Sequence, residues 1–65
     1  MEERLLEEYR DLNKKIGVLE NFIKKDSFHD LEEQQQKLLE EQLEVMTHYS
    51  GILSTRLLLL MIRRK

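Results

Sequence analysis

Residues 5–23 read LLEEYRDLNKKIGVLENFI, and their apolar side chains follow the heptad spacing of a coiled-coil helix. Steps of four and three residues alternate without a miss along one stripe: Leu5, Tyr9, Leu12, Ile16, Leu19 and Ile23. This spacing places all six side chains on one face of a helix. It predicts a first helix, from about residue 2 to residue 25, that packs its stripe against a second helix.

The next five residues, DSFHD at positions 26–30, are the only stretch with turn chemistry. Ser27 or Asp30 can cap a following helix, and Asp30 with Glu33 has the spacing of a capping box. Phe28 and Leu31 are expected to close the open end of the hairpin. No proline interrupts the residues that follow, so a second helix is predicted from about residue 31 to residue 64. The expected fold is all-α: one domain over residues 1–65, an antiparallel hairpin with a long second helix.

The end of the second helix needs a partner. A turn around Ser27–Phe28 would pair Tyr9 with positions 47–49 and Leu5 with positions 51–53, so the first helix would end opposite about Leu53. Residues 57–62 then project beyond it and read LLLLMI, which is apolar on every face of a helix and must be buried. Coiled-coil-like packing into a homo-oligomeric bundle, a dimer or tetramer, is therefore predicted, with interface residues Leu53, Leu57, Leu60 and Met61.

The second helix carries two neighbouring stripes. The first follows heptad spacing, interrupted only by Ser50: Leu39, Leu43, Met46, Leu53, Leu57 and Leu60. The second alternates apolar with polar side chains, namely Leu38, Val45, Ile52 and Leu59 with Gln35, Gln42, Tyr49 and Arg56. Two stripes predict two contact surfaces, one for the first helix and one for another subunit.

The polar members of the second stripe stand seven residues apart and so form a ladder along one line of the helix. They can act as a register device, as buried polar residues do in coiled coils. They can equally line a ligand slot between subunits, because aromatic rings stack on bases and arginine forks match phosphate. On this second interpretation the candidate ligand-binding residues are Arg4, Tyr9, Arg10, Gln42, His48, Tyr49 and Arg56.

Composition argues against several other classes of function. The 65 residues include no cysteine, and the formal net charge of -2 is not that of a general DNA or RNA binder. His29 and His48 are single histidines outside any metal-ligand cluster, so no metal site is predicted, and no nucleophile–base pair or cofactor motif points to an enzyme. The run at 57–62 is far shorter than the ~20 residues that span a bilayer. We expect a protein without catalytic residues, cofactor or membrane span, located in the cytoplasm.

A longer series of motifs resembles a known family. ERL at 3–5, EY at 8–9, LxxKI at 12–16 and LExFI at 19–23 are followed by Phe28, Leu31, LLxxQL at 38–43, MxxY at 46–49 and ILxxRL at 52–57. Over residues 3–57 the chain resembles very small helical phage proteins first named from crAss-like phages. Such proteins are similar to oligomeric anti-defence sponges that sequester nucleotide signals of bacterial immunity. The resemblance implies that Tyr49 and Arg56, together with Tyr9 and Arg4, contact the ligand.

Two hypotheses from different classes follow. The first is a phage sponge that holds a cyclic dinucleotide or an ADP-ribose-derived messenger, without cleaving it, in the cytoplasm of an infected bacterium. The second is a small helical adaptor or inhibitor that binds a host or phage protein through its apolar C-terminal helix.

Overall fold

The computed structural model describes residues 2–63 and consists of three helices. They are α1 (Glu2–Ile23), the short α2 (Asp26–His29) and α3 (Glu33–Arg63). Helices make up 92% of the described residues, and these residues contain no strand. The N-terminal end of α1 lies beside the C-terminal end of α3, so the two long helices are antiparallel. The molecule is a rod of 51 × 15 × 15 Å, and the predicted all-α class is confirmed.

The two predicted heptad stripes form the contact between α1 and α3. On α1 all six stripe residues are buried or half-buried, and so are the six apolar residues of the first α3 stripe. Leu53 is completely buried and Leu5 is 7% exposed. The polar member of the α3 stripe, Ser50, donates a hydrogen bond from Oγ to Oδ1 of Asn13 at 2.7 Å. The interruption of the heptad is therefore satisfied by a polar partner on α1.

The connection differs from the expected simple turn, because DSFH forms a turn of helix of its own. Phe28 is 2% exposed and packs edge-to-face on Phe22, with ring centroids 6.0 Å apart. The prediction that Phe28 closes the end of the hairpin is confirmed. The predicted capping box is wrong: α3 begins at Glu33, and Asp30 lies at the C-terminal end of α2, where its backbone N–H donates to the carbonyl of Asp26.

The pairing of α1 with α3 is shifted from the predicted one. Asn13 accepts a hydrogen bond from Ser50, whereas a turn around Ser27–Phe28 would have placed Asn13 opposite about positions 43–45. For these two residues the displacement is five to seven positions, roughly 8–10 Å along the helix. Tyr49 and Glu8, which are also hydrogen-bonded, keep the predicted pairing. At the open end of the hairpin Leu5 lies near Leu60, and α1 half-buries Leu57 and Leu60 of the overhang expected beyond Leu53.

Much apolar surface nevertheless stays exposed on α3. Leu58, Leu59, Met61 and Ile62 face outward, whereas Leu57 and Leu60 are half-buried by α1. Leu53, predicted at the interface, has no surface left in the single chain to offer a partner. Within α3, an 18-residue window has a mean hydropathy of 1.3 and is 6% buried, so by length and composition alone this helix could cross a membrane. The expected absence of a membrane span, which was based on residues 57–62 only, therefore stays a prediction.

Candidate functional site

Three arginines converge where the start of α1 meets the end of α3. Arg4 comes from the first turn of α1, and Arg56 and Arg63 stand seven residues apart, on one line of α3. They line a cavity of about 420 Å³, which we call the arginine cleft. Its remaining lining consists of Glu8 and three leucines, Leu5, Leu59 and Leu60. An apolar floor with a few convergent charged groups, in this volume range, is typical of small-molecule sites.

One carboxylate lies among these arginines, and it is already engaged. Tyr49 donates a hydrogen bond from its hydroxyl to Oε2 of Glu8. This hydrogen bond to Glu8, with smaller contributions from burial and from the negative charge of Glu8, raises the pKa of Tyr49 above 10.0, against an opposing effect of Arg56. The phenol is therefore protonated at neutral pH. Glu8 and Tyr49 join the two helices directly at the rim of the arginine cleft.

A second cavity of about 410 Å³ lies on the other side of Glu8. Tyr49 lines it together with Arg4, Lys15 and three carboxylates, Glu7, Glu8 and Asp11; Leu12 completes the lining. Two cations against three carboxylates make this cavity unfavourable for an anion. The arginine cleft, with three cations and one carboxylate, has the opposite balance. The balance of charge therefore favours an anion in the arginine cleft over the second cavity, and Tyr49 lies at the margin of the cleft.

A shallow groove of about 570 Å³ runs along the outer side of α3, over Gly51. Its lining includes His48, Ile52 and Arg56, with Thr47 and Thr55 on either side of Gly51. Thr55 donates from Oγ1 to the carbonyl of Gly51 at 3.0 Å, within the helix. All of these residues belong to α3, so the groove is one open helix face, and it shares Arg56 with the arginine cleft.

The predicted site residues are thus divided among different surfaces. Arg4 and Arg56 meet in the arginine cleft, Tyr49 lies at its rim, and His48 lies in the groove over Gly51. Three other candidates are not among the residues that line these cavities in the described part of the chain: Tyr9, Arg10 and Gln42. Tyr9 is half-buried in the stripe of α1, and the amide of Gln42 lies 3.8 Å from the sulfur of Met46.

Arg63 is a cleft residue that the sequence analysis missed. The ladder of polar residues at intervals of seven was followed to Arg56, and the next step along the same line is Arg63. The pairing predicted from sequence leaves the positions beyond Leu53 without a neighbour on α1, so it does not place Arg63 at a site. With the pairing that the structure has, the same line places Arg63 beside Arg4.

The comparisons with known proteins identify the family. A family model described as Sequestin matches residues 1–59, nearly the whole chain, and the protein belongs to this family. The match confirms the resemblance to small sponge-like proteins, and the family name indicates binding and sequestration of a molecule that it does not specify. No curated protein and no solved structure matches the chain.

Proposed function

We propose that this member of the Sequestin family binds a nucleotide signal in the arginine cleft and withholds it from its receptor without cleaving it. The signal is a cyclic dinucleotide or an ADP-ribose-derived messenger of bacterial immunity. The protein would then be of phage origin and act in the cytoplasm of the infected cell. The observation that supports this proposal most strongly is the convergence of Arg4, Arg56 and Arg63 on an apolar cavity.

The chemistry of the cleft fits a ligand with two phosphates. A guanidinium group stays charged at all physiological pH values, and it can donate two parallel hydrogen bonds to two oxygens of one phosphate. Three such groups, against the single carboxylate of Glu8, leave a local positive charge on a protein whose net charge is -2. The leucines of the floor offer an apolar surface to a base or ribose, and Tyr49 offers an aromatic face at the rim.

Binding without cleavage is supported by what surrounds the cleft. Its described lining contains one carboxylate, Glu8, which already accepts a hydrogen bond from Tyr49. Among the residues that the structure describes, the lining includes no histidine, serine or threonine and so provides no evident nucleophile or general base for attack on a phosphodiester.

The test measures nucleotide binding to the full chain and two arginine variants. Cyclic dinucleotides and cyclic ADP-ribose derivatives are titrated calorimetrically, and each bound nucleotide is recovered by heat denaturation and identified by mass spectrometry. Arg63→Ala should remove a charge-assisted hydrogen bond worth about 1.5–3 kcal/mol, which is roughly a ten- to hundredfold rise in Kd. The matched control is Arg10→Ala, an exposed arginine of α1 outside the cleft.

The outcomes separate the possible sites. Loss of affinity in Arg63→Ala but not in Arg10→Ala supports the arginine cleft. The reverse result would move the site to the face of α1 that carries Arg10, as the sequence alone suggested. Recovery of hydrolysed nucleotide, or no heat with any nucleotide of the panel, would overturn the sponge proposal.

The exposed apolar residues of α3 favour a second candidate function. Leu58, Met61 and Ile62 are between 55% and 67% exposed, which is unusual for a run of large apolar side chains. A helical adaptor would bury them against a host or phage protein. If the nucleotide panel gives no binding, and host protein captured by the wild-type chain is lost with Met61→Lys, the adaptor function replaces the sponge.

A further inference from the structure

An exposed apolar row runs along almost the whole length of α3. Its members stand seven residues apart and are between 45% and 61% exposed: Leu38, Val45, Ile52 and Leu59. We call them the outer seam. The seam flanks the stripe that packs on α1, so the helices of the single chain leave it uncovered. The outer seam alternates with the polar ladder (Gln42, Tyr49 and Arg56) at steps of four and three residues, which is the heptad spacing by which one helix packs along another.

The charges beside the outer seam indicate which helix would cover it. Residues 33–44 of α3 carry four glutamates, Glu33, Glu40, Glu41 and Glu44, against the single cation Lys37. Residues 45–63 carry no acidic residue and two arginines, Arg56 and Arg63. A second α3 in parallel would place glutamates beside glutamates and arginines beside arginines. A second α3 in antiparallel orientation places the acidic half of each helix beside the basic half of the other.

We propose that two copies of this protein pair through the outer seams of antiparallel α3 helices, around a two-fold axis near Gly51. Val45 then faces the partner's Arg56, and Ile52 faces the partner's Tyr49. Glu41 and Glu44 come within about one helical turn of the partner's Arg56. The partner is a second copy because α3 carries both halves of this charge pattern, and a two-fold axis requires one self-complementary surface.

The pairing also completes the arginine cleft, and this step alone depends on the proposed function. Leu59 belongs both to the outer seam and to the cleft lining. Around an axis near Gly51, Leu59 faces the partner's Gln42, an exposed glutamine of the polar ladder. Its amide N–H groups can donate to a phosphate held by the arginines. Gln42 of each subunit would then contact the ligand in the arginine cleft of the other subunit, and not the ligand in the cleft of its own subunit.

The experiment measures particle mass by sedimentation equilibrium over a range of protein concentrations, without nucleotide. The wild-type chain of 7.9 kDa should sediment as a particle with an even number of chains, two in the simplest case. Val45→Lys places a cation against the partner's Arg56 and should yield single chains with unchanged circular dichroism. Val18→Lys is the matched control, because Val18 is 71% exposed on α1 while Val45 is 61% exposed on α3; it should keep the wild-type mass.

Val45→Asp tests the orientation. In the antiparallel pair the new aspartate faces the partner's Arg56, so Val45→Asp should dissociate the particle less than Val45→Lys does. In a parallel pair residue 45 faces residue 45 of the partner, so like charges meet in either variant and both particles should dissociate equally. Equal dissociation overturns the antiparallel arrangement. A wild-type mass of 7.9 kDa at all concentrations, or single chains that partition into phosphatidylglycerol vesicles, overturns the pairing itself. Because no nucleotide is present, this result is independent of whether the sponge proposal holds.

Discussion

Leu53→Ala should destabilise the single chain more than any other leucine substitution on α3. Leu53 is the one described side chain that is completely buried, at the centre of the contact between α1 and α3. Removing a buried leucine side chain costs about 2–5 kcal/mol, from lost apolar burial and from the cavity that is left. A protein of this length has about 3–10 kcal/mol of stability in total, at roughly 0.05–0.15 kcal/mol per residue. A large part of the folding free energy is therefore at stake.

The assay is urea denaturation followed by circular dichroism, with Leu58→Ala as the matched control. Leu58 lies on the same helix and is 55% exposed, so its truncation should cost under about 1 kcal/mol. Leu53→Ala should lower the urea midpoint severely, or leave the chain unfolded in buffer. Equal losses in the two variants would refute the reasoning, since the stability would then not come from the contact between α1 and α3. If Leu53→Ala stays folded with an unchanged urea midpoint and only the mass of the particle changes, Leu53 lies at the subunit interface, as predicted from the sequence.

Two further substitutions test the polar contacts between the helices. Ser50→Ala removes the 2.7 Å hydrogen bond to Asn13 and should lower the free energy of unfolding, measured by urea denaturation, by about 0.5–1.5 kcal/mol. Asn13→Ala made in the Ser50→Ala background should then lower it almost no further. If the two losses add in full, the two side chains do not interact. Tyr49, observed alone by phenolate absorbance in a Tyr9→Phe background, should titrate above its ordinary pKa, and Glu8→Gln should lower that pKa, because the hydrogen bond to the Glu8 carboxylate holds the proton. Since the pKa of Tyr49 is raised on folding, this contact stabilises the fold below about pH 10 and is lost as the pH rises through the folded-state pKa. An unchanged titration in Glu8→Gln would contradict the contact.

The sequence by itself determined the helices and the faces through which they pack. Heptad spacing is a local property, because 3.6 residues per turn places positions three and four apart on one side whatever the rest of the chain does. For this reason the stripe from Leu5 to Ile23 and the stripe from Leu39 to Leu60 were both predicted, and both are buried or half-buried. The aromatic closure by Phe28 was predicted for a different local reason, because it is the only large apolar side chain between Lys24 and Asp30.

Only the tertiary structure decided how far α1 slides along α3. A heptad pattern repeats every seven residues, so shifting one helix by a whole heptad matches apolar to apolar again, and the spacing alone cannot select among these pairings. In the structure Asn13 pairs with Ser50, and the first turn of α1 reaches the last turns of α3. That choice brings Arg63 to Arg4 and separates Arg10 from the arginine cleft. The candidate site therefore depends on a pairing of α1 with α3 that no local property of the sequence selects.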